Sequence, residues 1–121
     1  MMNLEEFRTE MENSRRVLKE RGRMFKDPQY AVDQLCDLYG RFDAGERLMA
    51  DRVIDEWALS DDEGVRYDAQ ALIRRYSIVR AAEVLRKLAI RLESTMSPGA
   101  PFELKKVNQI LVSLAAADKE H

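Results

Sequence analysis

The stretch Ser60–Ile78, SDDEGVRYDAQALIRRYSI, decides the fold because it combines a helix start, an apolar helix face and a helix end. Three acidic residues open it, where carboxylates can accept hydrogen bonds from the free N–H groups of a first turn and suit the positive end of the helix dipole. Two arginines close it, where cations are favoured. Between them, apolar residues recur at helical spacing: Val65, Ala69, Leu72, Ile73 and Tyr76. The stretch therefore predicts an amphipathic α-helix.

The order of residues in this stretch resembles the second helix of a HEAT-type repeat. The matching positions are Asp61, Asp62, Val65, Arg66, Ala69, Ala71 and Leu72. The resemblance, which covers roughly residues 46–92, implies that an aspartate and Arg66 bridge neighbouring repeats and that the apolar residues fill the seam between stacked helix pairs. These residues would then be structural. A full array would repeat the motif at a period of about 40 residues, and an ordinary capped helix in a compact bundle is the alternative.

The composition is typical of a small helical protein. The chain has 121 residues, of which 45% are hydrophobic and 35% charged, and this predicts a single domain, residues 1–121, rather than a disordered chain. No apolar run of about 18 residues is present, so we expect neither a transmembrane helix nor a membrane partner. The N-terminus lacks the apolar segment of a signal peptide. Cys36 is the only cysteine, which favours a reducing, cytoplasmic location.

Local signals predict about six helices, packed as antiparallel pairs in an all-α, HEAT-like stack. Residues 1–22 form a peripheral first helix that Gly22 ends. Asp27 and Pro28 start the second helix, and Asp43 with Glu46 starts the third through a capping box.

The second half of the chain adds two helices after the Ser60–Ile78 stretch. A fifth helix is predicted over residues 78–92, with Val84 and Ile90 hinting at a second buried side. Residues 94–101, STMSPGAP, form a loop. A last helix then runs over residues 102–117, and residues 118–121 are predicted to fray.

The sequence lacks the residue patterns that support the common kinds of enzyme site. His121 is the only histidine and stands at the C-terminus, so a zinc site of the usual kinds cannot be built within one chain. The five glycines are scattered singly, which excludes a phosphate-cradling loop. We therefore expect no catalytic residue, no metal, no cofactor and no enzymatic activity, with Cys36 buried on an apolar helix face.

Charge is distributed unevenly along the chain. Residues 28–63 carry ten acids and three bases, whereas the whole chain has a net charge of only −2. The carboxylates that share helix faces in this acidic segment predict a partner-binding surface. Its members are Asp33, Asp37, Asp51, Asp55 and Glu56.

We expect the partner of this surface to be a basic protein. A small acidic protein of HEAT-like type resembles bacterial immunity proteins, and the resemblance implies that the acidic surface caps the basic active site of a toxin. Electrostatic complementarity would make the association fast and salt-sensitive.

Two other functions stay open at this stage. A scaffold subunit would self-associate as a homo-oligomer through an apolar face of the first or last helix. A helical enzyme would hold a metal between two pairs of aspartates, each pair four residues apart: Asp33 with Asp37, and Asp51 with Asp55. No Glu-x-x-His motif supports such a site. The basic stretch of residues 74–91 would contact phosphates, but no aromatic residues interleave with the cations, so we do not expect nucleic acid as a partner.

Overall fold

The computed structural model describes residues 2–119. Over that range the chain forms six α-helices and one 3₁₀ turn and contains no strand, which confirms the predicted all-α fold. The helices are α1 (Leu4–Met24), α2 (Tyr30–Arg41), α3 (Ala44–Ala58), α4 (Glu63–Tyr76), α5 (Ala82–Glu93) and α6 (Ala100–Lys119), and the 3₁₀ turn is Val79–Ala81. None of the helices within residues 2–119 has the length and apolar character that crossing a membrane requires.

Packing divides the chain into two units, the first ending at Ile54 and the second beginning at Asp55 within α3. In the first unit α1 packs against α2 as a helical hairpin. Its buried core contains residues of both helices: Phe7, Met11, Val32, Leu35, Cys36 and Tyr39. In the second unit α6 packs against α4, α5 and the 3₁₀ turn. The core there includes Leu72, Ile73, Leu85, Leu88, Val107, Ile110 and Leu114.

Gly22 does not end the first helix, as its residue type suggested. α1 continues to Met24, and Gly22 is buried inside its last turn. The reason is a close approach of the returning chain: a Cβ atom at this position would lie 3.2 Å from the backbone oxygen of Asp27. The amide of Asp27 also donates to the Gly22 carbonyl over 2.9 Å. The glycine therefore makes room for the turn into α2.

The two predicted starts in the first unit have different outcomes. Asp43 and Glu46 form the predicted capping box, with the Asp43 amide 2.9 Å from Glu46 Oε1 and the Glu46 amide 2.8 Å from Asp43 Oδ1. The predicted start at Asp27 and Pro28 is wrong by two residues. The Asp27 carboxylate instead accepts from the amide of Gln29, over 3.0 Å, and so closes the turn that precedes α2.

In the second unit α4 confirms the helix that was predicted for the stretch Ser60–Ile78. Asp62 caps it by accepting from the amides of Gly64 and Val65. Ser77 ends it in a left-handed conformation with φ of 49°. The helix predicted from residue 78 therefore begins later: Val79–Ala81 form a 3₁₀ turn, and α5 starts at Ala82. Val84 is buried as predicted, but Ile90 is 68% exposed, so the predicted second buried side holds only in part.

The last helix is longer at both ends than the sequence predicted. It begins at Ala100, and only residues 94–99 form the loop. It continues to Lys119, so residues 118 and 119 of the predicted tail belong to the helix. Three consecutive alanines, residues 115–117, precede that end, and alanine has the highest intrinsic helix propensity. The remainder of the predicted tail, including His121, lies outside the described residues.

Candidate functional site

Arg66 is the polar centre of the second unit. Its Nε lies 2.8 Å from Glu103 Oε2, and its Nη2 lies 2.9 Å from Glu103 Oε1, so α4 and α6 are joined by a two-pronged ion pair. The Nη1 atom donates to the backbone oxygens of Ser60 and Asp61. The side-chain nitrogen Nε2 of Gln70, one helical turn along α4, donates to Glu103 Oε2 over 2.9 Å. One guanidinium thus holds together a loop and two helices.

The electrostatics of this cluster follow from its burial and its pairing. The Arg66 hydrogen bonds hold the pKa of the Glu103 carboxyl below its ordinary value, although burial acts in the opposite direction. Pairing with Glu103 also raises the pKa of Arg66. Gln70 is buried, and its Oε1 atom has no hydrogen-bond partner among the described residues.

The residues that match the HEAT-type motif differ in their surroundings, and the pairing of Arg66 differs from the one that the resemblance implies. Asp62 caps α4, and Asp61 is exposed with its carboxylate 4.0 Å from Arg91. Arg66 pairs with Glu103 instead of an aspartate side chain. The apolar motif positions are half-buried at Val65 and Ala71 and buried at Ala69 and Leu72.

Lys106 lies beside this cluster on α6. Its Nζ atom stands 4.1 Å from the centre of the Tyr67 ring, in cation–π geometry. Burial lowers the pKa of Lys106, and the nearby carboxylate of Glu103 opposes that effect. A groove of about 340 Å³ passes over these residues, and Phe102 on its wall is 80% exposed.

The five carboxylates of the predicted acidic surface differ in exposure. Asp33 and Asp37 are exposed one turn apart on α2, and Glu56 is exposed on α3. Asp51 and Asp55, one turn apart on α3, are half-buried. The exposed carboxylates that a partner could contact are therefore those of Asp33, Asp37 and Glu56.

Asp51 is already used inside the first unit. Its Oδ1 atom accepts a hydrogen bond from the Tyr39 hydroxyl over 2.7 Å. Tyr39 is buried, and Arg47 lies over its ring at 5.2 Å from the centroid. The Asp51 carboxylate therefore satisfies a core hydroxyl, which is a structural role.

Metal ligation has no support in the described part of the chain. No group of three or more His, Cys, Asp or Glu side chains is arranged there to hold an ion. Cys36 is buried in the core of the first unit, as predicted. Trp57, which would be an interface anchor if exposed, is buried in the second unit.

The first unit contains an open apolar groove of about 650 Å³ between α1 and the start of α3. Its walls are thioether, aromatic and aliphatic side chains. They belong to Met2, Phe7, Met11, Leu38, Phe42, Leu48 and Met49. The rings of Phe7 and Phe42 pack against each other with centroids 5.2 Å apart, which joins the two walls at the base.

The rim of this groove carries charge of one sign. Glu10, Asp43 and Glu46 line it, and of the described residues that line it none is a lysine or arginine. Leu48, one of the wall residues, has 55% of its surface exposed. Groove and rim together offer an adaptable apolar slot surrounded by carboxylates, and we call this feature the acid-rimmed groove.

The sequence did not predict that these residues form a groove. Its walls come from two separate segments, residues 2–14 and residues 38–49, which only the hairpin brings together. The one available signal was the capping box of Asp43 and Glu46, which placed two carboxylates at the start of α3.

Comparison of the chain with protein-family models, with curated proteins and with solved structures finds no match.

Proposed function

We propose that this protein is a non-enzymatic binding module that holds a basic, amphipathic helix of a partner protein in the acid-rimmed groove. The single observation that carries the proposal is the combination of an apolar slot of about 650 Å³ with three rim carboxylates. An amphipathic helix presents apolar residues along one face and charged residues beside them, and such helices dock in apolar grooves.

The lining chemistry supports this class of partner. Methionine is unbranched and polarisable, so Met11 and Met49 can adapt to the shape of an inserted side chain. The exposed Leu48 would bury its apolar surface against the helix. Rim carboxylates attract a cationic partner and speed its association, but their effect weakens with salt.

The proposal keeps the basic partner expected from the sequence and changes the surface that binds it. Asp33 and Asp37 are exposed and would add a long-range field that attracts a basic protein. Asp51, in contrast, holds the Tyr39 hydroxyl. An inhibitor of the immunity type, which caps a basic surface of its target, is one form that this function would take.

A synthetic helix tests the proposal directly. The probe is a fluorescent peptide of about 18 residues in which leucines form one face and lysines the other. The reference is a scrambled peptide of equal charge without an apolar face. Fluorescence anisotropy with the full chain should show tighter binding of the amphipathic peptide. Equal binding of both peptides would refute a groove and leave only charge attraction.

Matched variants locate the contact. Leu48→Asp should weaken binding of the amphipathic peptide by about tenfold, because it places a charge in the slot. Ile90→Asp is the control, since Ile90 is a similarly exposed aliphatic residue on α5. Loss of binding in Asp33→Lys/Asp37→Lys with full binding in Leu48→Asp would assign the contact to the predicted acidic surface instead.

Self-association is the second candidate, and α6 favours it. A shallow groove of about 490 Å³ runs along this helix and is lined in part by Pro101, Leu104 and Val112. Val112 is 71% exposed. Light scattering should then show a dimer that Val112→Asp converts to monomer, whereas a monomeric native chain at high concentration would exclude this candidate.

A further inference from the structure

The turn that joins α1 to α2 combines exposed apolar side chains with exposed cations. Met24 and Phe25 are neighbours in the chain and are 73% and 63% exposed. Arg21, Arg23 and Lys26 flank them and are also exposed. We call these five residues the basic corner.

The basic corner lies in the most cationic segment of the first unit. Residues 15–26 contain six bases and one acid, Glu20, although residues 1–27 as a whole are almost balanced. Glu20 pairs with Arg23 on the surface, at 3.2 Å. The next acid, Asp27, uses its carboxylate to close the turn. An excess of positive charge therefore flanks the two apolar side chains.

Backbone hydrogen bonds hold the basic corner in one conformation. Lys26 adopts a left-handed conformation with φ of 54°, which few residues other than glycine do. Its amide donates to the Arg23 carbonyl, and the amide of Phe25 donates to the Arg21 carbonyl. The Phe25 ring rests its edge against Tyr30, with centroids 5.3 Å apart. The backbone that carries Met24 and Phe25 is therefore already ordered, which lowers the cost of ordering it on binding.

We propose that the basic corner docks the protein on the surface of an anionic lipid bilayer. The cations would contact lipid phosphates and carboxylates, and Met24 and Phe25 would enter the boundary between headgroups and acyl chains. This inference is independent of the acid-rimmed groove. It concerns attachment to a surface, for which no helix has to cross the bilayer.

The side-chain types favour a lipid surface over single-stranded nucleic acid. Proteins that bind single strands offer flat aromatic platforms on which bases stack. Here one of the two apolar residues is the flexible Met24, and the ring of Phe25 is engaged with Tyr30. Exposed apolar side chains surrounded by lysine and arginine suit a bilayer interface instead.

Vesicle sedimentation with the full chain tests the proposal. Vesicles of phosphatidylcholine alone are compared with vesicles containing about one third phosphatidylserine. The chain should bind the anionic vesicles at least about tenfold more tightly, and added salt should weaken the binding. Equal binding to both kinds of vesicle, or none to either, would overturn the proposal.

Two sets of variants separate the contributions. Met24→Ser/Phe25→Ser should reduce binding to anionic vesicles by about tenfold while leaving its salt dependence, because the cations remain. Arg21→Gln/Arg23→Gln/Lys26→Gln should reduce both the affinity and the salt dependence. Ile90→Ser, a change at an exposed residue of the second unit, is the control and should bind as the native chain does. Circular dichroism shows whether each variant is folded.

A result in which the two serine substitutions leave vesicle binding unchanged would also overturn the proposal. It would show that Met24 and Phe25 do not enter the bilayer and that the basic corner contributes only its charge. Binding of a labelled oligonucleotide in the absence of vesicle binding would assign the same cations to nucleic-acid phosphates.

Discussion

Arg66 and Glu103 lie 37 positions apart in the chain and form the ion pair that joins α4 to α6. Both side chains are largely withdrawn from solvent, with exposed fractions of 14% and 11%. A two-pronged contact fixes both the distance and the orientation of the partners. The pair therefore restrains how the two helices pack as well as contributing energy.

Removal of the guanidinium should destabilise the protein strongly. We expect Arg66→Ala to lower the free energy of unfolding by about 3 kcal/mol, because it leaves the Glu103 carboxylate buried without its partner. Urea unfolding followed by circular dichroism measures the change. Arg75→Ala, at an exposed arginine of the same helix, should change stability by less than about 0.5 kcal/mol. Similar decreases in the free energy of unfolding in both variants would show that the Arg66–Glu103 pair stabilises the protein no more than an exposed arginine does.

Stability should depend on pH through Glu103. The folded pKa of this carboxyl lies below its ordinary value of 4.5, so the pair's contribution is complete above pH 4.5 and is lost as pH falls through the folded pKa. As pH falls through this acidic range, the free energy of unfolding, measured with urea, should decrease more steeply for the native chain than for Glu103→Gln. All other carboxylates are common to the two proteins, so parallel pH profiles would contradict the assignment to Glu103.

Neighbouring aspartates at the start of α4 should differ in their effect on stability. Asp62→Ala should cost about 1 kcal/mol, because the Asp62 carboxylate caps the amides of Gly64 and Val65. Asp61→Ala should cost much less, because the Asp61 carboxylate is exposed and its ion pair with Arg91 is long, at 4.0 Å. Thermal unfolding of the two variants gives the comparison. Equal melting temperatures would show that the cap contributes no more than a surface charge.

Local interactions explain which parts of the fold could be predicted. The capping box of Asp43 and Glu46 links residues three apart, so the sequence alone contains both partners. The same holds for Asp62 and the first turn of α4. The all-α class follows from the helical spacing of apolar residues, which needs no knowledge of tertiary packing.

Tertiary contacts explain what could not be predicted. Gly22 has the residue type of a helix stop, yet its role is to admit the backbone of Asp27. The motif singled out Arg66 and gave an aspartate as its partner, whereas packing of α6 supplies Glu103. The acid-rimmed groove joins Phe7 and Phe42 across a hairpin whose geometry is not encoded in any short pattern.

Lys106 should impose a penalty that disappears at high pH. Burial holds its folded pKa below the ordinary lysine value of 10.5, so the folded chain is penalised while Lys106 is charged, and stability rises between the folded pKa and 10.5. Lys106→Met removes the titration but keeps an unbranched apolar side chain. The stability of the native chain relative to this variant should therefore increase as pH is raised toward 10.5.

Lys105→Met is the matched control for this measurement, because Lys105 is the exposed neighbour on α6. The stability of Lys105→Met relative to the native chain, measured over the same pH range, gives the effect of removing an exposed lysine from this helix. Urea unfolding at several alkaline pH values measures all three proteins under identical conditions. A native-minus-variant difference for Lys106→Met that stays constant with pH would show that the lysine is solvated rather than held against Tyr67.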